Sequence, residues 1–124
     1  MLILFVDDEI KRIQKFKSFY PDCISTTGSM SAIKIIEAFL GKIDYLFLDH
    51  DLDITQEYNP LIIKGTGIEI TKYIVTHKPI IKKIIVHSCK YYGSKAMTEM
   101  LIKAGYNVWQ APFSLLELPL IEHR

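Results

Sequence analysis

The residues best suited to chemistry follow one apolar segment near the middle of the chain. Residues 45–48 are apolar, and Asp49, His50 and Asp51 come directly after them. An apolar run without polar alternation predicts a strand that is buried on both faces of a sheet. Open α/β sheets bind ligands at the carboxyl ends of their strands. A solvated polar cap is the alternative, but acid, imidazole and acid together favour a functional site.

Ionisable residues also follow two other apolar runs. Gathered at one edge of a sheet, the three strand ends bring together Asp7, Asp8, Asp49, Asp51, His87 and Ser88. Several carboxylates that lie within a few ångströms cannot all stay ionised without a counter-ion. Mg²⁺ or Mn²⁺, which prefers oxygen ligands, would supply that charge and could also neutralise a phosphate. The acids therefore predict a metal site, the alternative being that they point apart into water.

Two histidines stand beside these acids. The unperturbed pKa of an imidazole lies near neutrality, so His50 or His87 could pass a proton to a leaving alkoxide. The alternative for each is a structural imidazole with a satisfied hydrogen bond. Ser88 is equally suited to binding a phosphate oxygen and to holding the backbone.

Apolar periodicity supplies the elements that must position these residues. Strands are expected at 2–6, 23–27, 43–48, 80–86 and 106–110. Helices are expected at 10–20, 28–40, 68–75, 93–105 and 115–122, with stops at Gly41 and Gly105. In the first helix, Lys11, Arg12 and Lys15 are expected on the face away from the core.

This alternation of strands and helices predicts one doubly wound α/β domain over residues 1–124. The sheet is expected to have five parallel strands in the order 2-1-3-4-5, with helices on both faces. In that order the first, third and fourth strands are neighbours, so the acids and His87 meet at one edge.

Composition excludes several classes of protein. With 124 residues, 49% of them hydrophobic, the chain can form a core, and its net charge of +1 gives no case for wholesale binding to nucleic acid or membrane. Cys23 and Cys89 match no zinc spacing and no disulfide framework. The sequence contains no secretory signal and no membrane span, so we expect a cytoplasmic protein.

The order of these motifs resembles the receiver domain of bacterial response regulators over nearly the whole chain. Val6-Asp7-Asp8-Glu9 is similar to the acidic pair of receivers, Asp49 stands at the phosphoacceptor position, and Ser88 stands at the switch hydroxyl. The resemblance implies that the backbone carbonyl of Asp51 is a further ligand of Mg²⁺.

Three features depart from ordinary receivers. Ala111 stands where the resemblance implies a lysine that pairs with the phosphoacceptor, so acyl-phosphate signalling through Asp49 is not expected. His50 and His87 stand where receivers have apolar residues, and the segment 52–65 is longer than the receiver loop. Positive charge for the site would then have to come from other residues. Lys64 and Lys90 are candidates, the alternative being that they are solvated surface lysines.

The sequence is more similar to a divergent branch, the cyclic-phosphate-processing receiver-like domains. The similarity lies in Leu48-Asp49-His50-Asp51-Leu52, Gly65-Thr66-Gly67 and Val86-His87-Ser88. The Gly-Thr-Gly segment could bind an anion or simply begin a helix. Membership of this branch implies that the protein acts on, or senses, nucleotides or RNA ends that carry cyclic phosphates.

Three functions are consistent with these residues. The first is a Mg²⁺- or Mn²⁺-dependent domain that processes or senses cyclic or terminal phosphates. If it processes them, it is a cyclic-phosphate phosphodiesterase. Its catalytic candidates are Asp49, His50, His87 and Ser88, and its metal ligands are Asp7, Asp8, Asp49 and Asp51. The second is a stand-alone receiver that a partner kinase phosphorylates on Asp49. The third is a non-catalytic interaction module.

Overall fold

The strands and helices alternate as the sequence predicts. The computed structural model describes residues 1–39, 41–49, 67–87 and 91–110. For residues 91–94 it describes the backbone alone. Within these ranges the elements are β1 (Ile3–Val6), α1 (Ile10–Phe19), β2 (Ile24–Thr26), α2 (Ser29–Ala38), β3 (Ile43–Asp49), α3 (Gly67–His77), β4 (Ile81–His87), α4 (Tyr91–Lys103) and β5 (Val108–Gln110). The helix expected at 115–122 lies outside the described residues.

The five strands form one parallel sheet in the order β2-β1-β3-β4-β5, which confirms the predicted fold class and strand order. β1 therefore lies between β2 and β3, and β3 pairs with β4 on its other side. Asp49 and His87 are the last residues of β3 and β4, one residue later than the predicted strand ends, and they are partners in the register. Asp49 and His87 thus belong to the sheet itself and not to the loops that follow it.

The sheet separates two apolar cores. The larger core joins one face of the sheet to α2, α3 and α4, and its central members include Leu4, Leu46, Ile84, Ile36, Ile70, Ile74, Met97 and Leu101. The smaller core lies under α1 and consists of Ile3, Phe5, Ile13, Phe16, Cys23, Phe47 and Ile85. Since neighbouring strand residues face opposite sides, alternate residues of β1, β3 and β4 belong to different cores. The predicted placement of helices on both faces is therefore correct.

Both predicted glycine stops follow their helices, although α2 already ends at Ala38, two residues before the predicted end, and α4 ends at Lys103. Gly41 and Gly105 have φ values of 76° and 100°, a left-handed conformation that glycine adopts at little cost after a helix. The predicted start of the fourth helix at Gly93 is wrong, because α4 begins at Tyr91. The first turn of a helix has backbone N–H groups without intrahelical partners anyway, so a glycine there interrupts little. No helix among the described residues is both long and apolar enough to cross a membrane.

The smaller core depends on a stack of aromatic rings, which suggests a stability test. The Phe16 ring is fully buried and lies 4.2 Å from the Phe5 ring, whereas Phe19 on the same helix is 43% exposed. We expect Phe16→Ala to lower the free energy of unfolding by about 3–5 kcal/mol. Phe19→Ala, the matched control, should change it by less than about 1 kcal/mol. Urea denaturation of both variants measures the difference, and equal losses would contradict this account of the smaller core.

Candidate metal centre

Strand alternation directs three of the predicted site residues to the α1 side of the sheet. Asp49 and His87 lie two residues beyond Phe47 and Ile85, which belong to the smaller core. Asp7 lies directly after β1, and its N–H donates to the carbonyl oxygen of Thr26 at 3.1 Å, which extends the pairing with β2. The polar ends of β1, β3 and β4 therefore lie above the aromatic layer and beside the first turn of α1.

Three carboxylates meet at this edge. One oxygen from each of Asp7, Asp8 and Asp49 lies within 4.8 Å of the other two. Asp7 and Asp49 are buried, with residue exposures of 0% and 2%, while Asp8 is half-buried. We call these three residues the carboxylate cluster. Two buried acids at such close range require positive charge nearby.

Asp7 forms the base of the carboxylate cluster and also shapes the chain that follows it. Its Oδ1 accepts a hydrogen bond from the N–H of Glu9 at 2.8 Å, which turns the chain into α1. Its Oδ2 lies 2.9 Å from Nε of Arg12. Burial raises the pKa of Asp7 above its ordinary value, against the Glu9 N–H and the Arg12 charge, which both lower it. Asp7 therefore depends on both neighbours for its ionised form.

Arg12 reaches every member of the carboxylate cluster from α1. Its Nη2 lies 3.8 Å from Asp49 Oδ2 and 3.9 Å from Asp8 Oδ1, in addition to the Asp7 contact. Burial opposes its charge, but Asp7, Asp49 and Glu9 raise the pKa of Arg12 above its ordinary value, so the guanidinium stays protonated. The predicted position of Arg12 on the outer face of the helix is wrong. The i,i+4 spacing from Asp8 is the sequence signal that could have found this contact.

His87 is a core residue rather than a solvated imidazole. Its ring stacks on Phe5, with centroids 5.1 Å apart and planes 6° from parallel, and its exposure is 1%. Nδ1 lies 3.5 Å from Asp7 Oδ2. Burial, and then the positive charge of Arg12, lowers the pKa of His87 to about 3. The expectation that His87 titrates near neutrality is therefore wrong, and the histidine stands beside Asp7 as a neutral ring.

The donor set of the carboxylate cluster fits a hard divalent cation. Carboxylate oxygens are the ligands that Mg²⁺ and Mn²⁺ prefer, and the three oxygens are already close enough to approach one ion. Two of the three acids are buried, which distinguishes the cluster from a solvated acidic surface. The carboxylates also outnumber the guanidinium of Arg12, so the charge of Arg12 alone does not neutralise them when all three are ionised.

The remaining predicted site residues lie outside the described residues. These are His50, Asp51 and Ser88, together with the candidate cations Lys64 and Lys90, the segment 52–65 and Ala111. Their roles stay predictions. Of the residues predicted for the site, Asp7, Asp8, Asp49 and His87 lie together at the carboxyl edge of the sheet.

Comparison with known proteins agrees with this fold. The family model described as Cyclic-phosphate processing Receiver domain matches residues 2–103. A signal receiver domain from Vibrio parahaemolyticus superposes with a TM-score of 0.64 and 18% identity over 89% of this chain and 76% of its own. A receiver domain from Saccharomyces cerevisiae, solved with a histidine phosphotransfer protein, gives a TM-score of 0.58 and 17% identity, over 90% of this chain and 77% of its own.

A response regulator from Burkholderia pseudomallei, solved with a phosphorylated aspartic acid, a calcium ion and citrate, is also similar. It has a TM-score of 0.57 and 14% identity over 89% of this chain and 58% of its own. At these identities the structures establish the common fold. No curated protein matches the chain.

The buried His87 predicts how stability depends on pH. Because its pKa is about 3 in the folded protein and near 6.5 when unfolded, the unfolded chain binds more protons between these values. Stability should fall as the pH is lowered through 6.5, and His87 alone should contribute a loss of about 2 kcal/mol between pH 7 and pH 5. His87→Gln should remove this part of the pH dependence, while the exposed control His77→Gln should keep it. Denaturation curves of the wild type and both variants at pH 7 and pH 5 test this. An equal loss of stability between the two pH values in all three proteins would refute it.

Proposed function

This chain belongs to the family of cyclic-phosphate processing receiver domains, and we propose that it binds a cyclic or terminal phosphate on a nucleotide or an RNA end. It processes or senses that phosphate with Mg²⁺ or Mn²⁺. The observation that carries this proposal is the meeting of the Asp7, Asp8 and Asp49 carboxylates at the carboxyl edge of the sheet. A phosphate is itself anionic, so an acidic site can receive it only when a cation is present.

The three carboxylates have the role of metal ligands, with the backbone carbonyl of Asp51 as a further ligand. Bound there, the ion would neutralise a phosphate oxygen and polarise the phosphorus. Asp7 is held for this task by the N–H of Glu9, which donates to its Oδ1 at 2.8 Å. Such support fixes the direction of a ligand oxygen before the ion arrives.

Proton transfer is assigned to His50 rather than to His87. A group with a pKa of about 3 is neutral at pH 7 and is a poor general acid. His87 instead positions Asp7, since its Nδ1 lies 3.5 Å from Asp7 Oδ2 and its ring is fixed against Phe5. Ser88, which follows His87 directly, is proposed to hold a phosphate oxygen.

Metal binding should be visible as thermal stabilisation. A ligand that binds only the folded state raises the melting temperature by mass action, and at 100 times its Kd it adds about 2.7 kcal/mol. Mg²⁺ or Mn²⁺ should therefore stabilise the wild-type protein, and Asp49→Asn should lose most of that gain. Asp22→Asn, an exposed acid before β2, should retain it. An equal shift in both variants would place the metal elsewhere.

The ligand can be identified with the same variants. The panel comprises 2′,3′-cyclic mononucleotides, cyclic dinucleotides and RNA with a 2′,3′-cyclic phosphate end, each with Mg²⁺ and with EDTA. We expect one class to bind or to be hydrolysed in a way that requires both the metal and Asp49. Binding without turnover would make the protein a sensor. Neither binding nor hydrolysis across the panel would reject the proposed function.

A receiver phosphorylated on Asp49 is the second candidate, favoured by the shared fold and by the position of Asp49 at the end of β3. The similar Burkholderia protein carries a phosphorylated aspartic acid, and the similar yeast domain was solved with a phosphotransfer protein. A protein partner of that kind would then be expected here.

The residue at position 111 argues against this second candidate. Ala111 stands where the resemblance to receivers implies the lysine that pairs with the phosphoacceptor. Incubation with acetyl phosphate and Mg²⁺ should therefore yield little stable acyl phosphate by intact mass. Stoichiometric labelling that is absent from Asp49→Asn would instead support the receiver function.

A further inference from the structure

Arg12 has two different relations to the acids around it. Nε lies at hydrogen-bond distance from Asp7 Oδ2, at 2.9 Å. Nη2 lies 3.8 Å from Asp49 Oδ2, 3.9 Å from Asp8 Oδ1 and 4.0 Å from Glu9 Oε2, which are ion-pair distances beyond the range of a hydrogen bond. The side chain is thus anchored at its Nε on one acid, and its terminal end lies between the others.

This arrangement suits the recognition of a phosphate. A guanidinium has five N–H donors in a rigid plane, and this fork can meet an anion in a bidentate way while one edge faces Asp7. The anchor on Asp7 also restricts the long side chain before a ligand binds, which reduces the entropy lost on binding. Lysine, with a single flexible ammonium, offers no comparable geometry.

Exposure increases from the two buried acids towards Arg12. The side chains of Asp7 and Asp49 are 0% and 3% exposed, whereas those of Asp8 and Arg12 are 19% and 24% exposed. An anion that enters from solvent therefore meets the guanidinium at the outer side of the carboxylate cluster, beside Asp8. Asp7 and Asp49 lie deeper, where a metal ion can reach them but a phosphate is repelled.

The charges of the site support the same assignment, in which the acids bind the metal and Arg12 binds the phosphate. Among the described residues, the three ionised carboxylates of the cluster outweigh the guanidinium of Arg12, and a divalent cation brings these four side chains to neutrality. Without Arg12, the cluster and its ion would retain a net negative charge and would repel an anionic ligand. The guanidinium comes from α1, so it does not depend on a lysine at the position of Ala111.

We propose that Arg12 is the residue that binds the phosphate of the ligand, anchored on Asp7 and acting beside the metal held by the carboxylate cluster. This assignment rests on the proposed function and names a residue for its ligand. It differs from a purely structural role, in which Arg12 would only hold Asp7 in place. The two roles make opposite predictions for metal affinity and ligand affinity.

Calorimetry separates the two roles. Mg²⁺ is titrated into the full chain as wild type, Arg12→Gln, Arg12→Lys and the control Lys11→Gln, which removes an exposed charge from the same helix. Inorganic phosphate and 2′,3′-cyclic AMP are then titrated at saturating Mg²⁺. For Arg12→Gln we expect Mg²⁺ affinity at least equal to wild type and a loss of about 10-fold or more in affinity for both phosphate compounds. Arg12→Lys should lose part of that affinity, and Lys11→Gln none.

Nuclear magnetic resonance reports on Arg12 directly, because the chain contains only two arginines, Arg12 and Arg124. In protein labelled with ¹⁵N-arginine, Arg12→Lys assigns the Nε–H signal of Arg12 by its disappearance. That signal should shift when phosphate or 2′,3′-cyclic AMP is added to the Mg²⁺ form, while the Arg124 signal should not. This measurement needs no variant that binds ligand, so it also serves if Arg12→Gln does not fold.

The outcomes distinguish this inference from the proposed function. Weaker Mg²⁺ binding by folded Arg12→Gln, or unchanged phosphate affinity with no shift of the Arg12 signal, would overturn the assignment and leave the proposed function standing. Arg12-dependent binding of inorganic phosphate without binding of 2′,3′-cyclic AMP or any other member of the cyclic-phosphate panel would support the assignment and reject the proposed ligand. Failure of every phosphate compound to bind the wild-type protein would reject both.

Discussion

Two carboxylates buried at the end of a parallel sheet require a cation beside them, and the arrangement of the site follows from that requirement. Asp7 and Asp49 are nearly inaccessible to solvent, and the guanidinium of Arg12 lies 2.9 Å from the first and 3.8 Å from the second. Because Arg12 belongs to α1, the charge balance depends on the position of this helix. The stacking of Phe16 on Phe5 fixes that position, so the packing of the smaller core and the electrostatics of the site are coupled.

Polarity changes in layers along the α1 side of the sheet. Phe5, Phe16 and Phe47 form an apolar base, and the neutral ring of His87 stacks on Phe5 above it. Asp7 and Asp49 follow, and Arg12, whose side chain is 24% exposed, lies towards solvent. An imidazole suits the middle layer, since its ring packs like an aromatic residue while its Nδ1 faces Asp7. The same burial that makes His87 a good support for Asp7 makes it a poor proton donor.

Family membership defines the class of ligand in our proposal, whereas the division of labour among residues belongs to this chain. The family model covers residues 2–103, which include the carboxylate cluster, Arg12 and His87. In the proposed arrangement, α1 contributes the phosphate-binding cation, and the residues directly after β1 and at the end of β3 contribute the metal ligands. The cation therefore approaches from the side of the sheet opposite to α2, α3 and α4.

Local patterns in the sequence determined the elements, the strand order and the candidate acids. Uninterrupted apolar runs such as residues 45–48 identify buried strands, and the carboxyl ends of parallel strands necessarily share one edge. Tertiary structure alone decided which side chains touch across elements. Arg12 looks solvent-facing in the helical period, yet it turns to buried acids that come from β1 and β3, because neutralising them outweighs its own desolvation. His87 likewise has an ordinary sequence context, and only its packing against Phe5 keeps it neutral, since burial depends on residues that are remote in the chain.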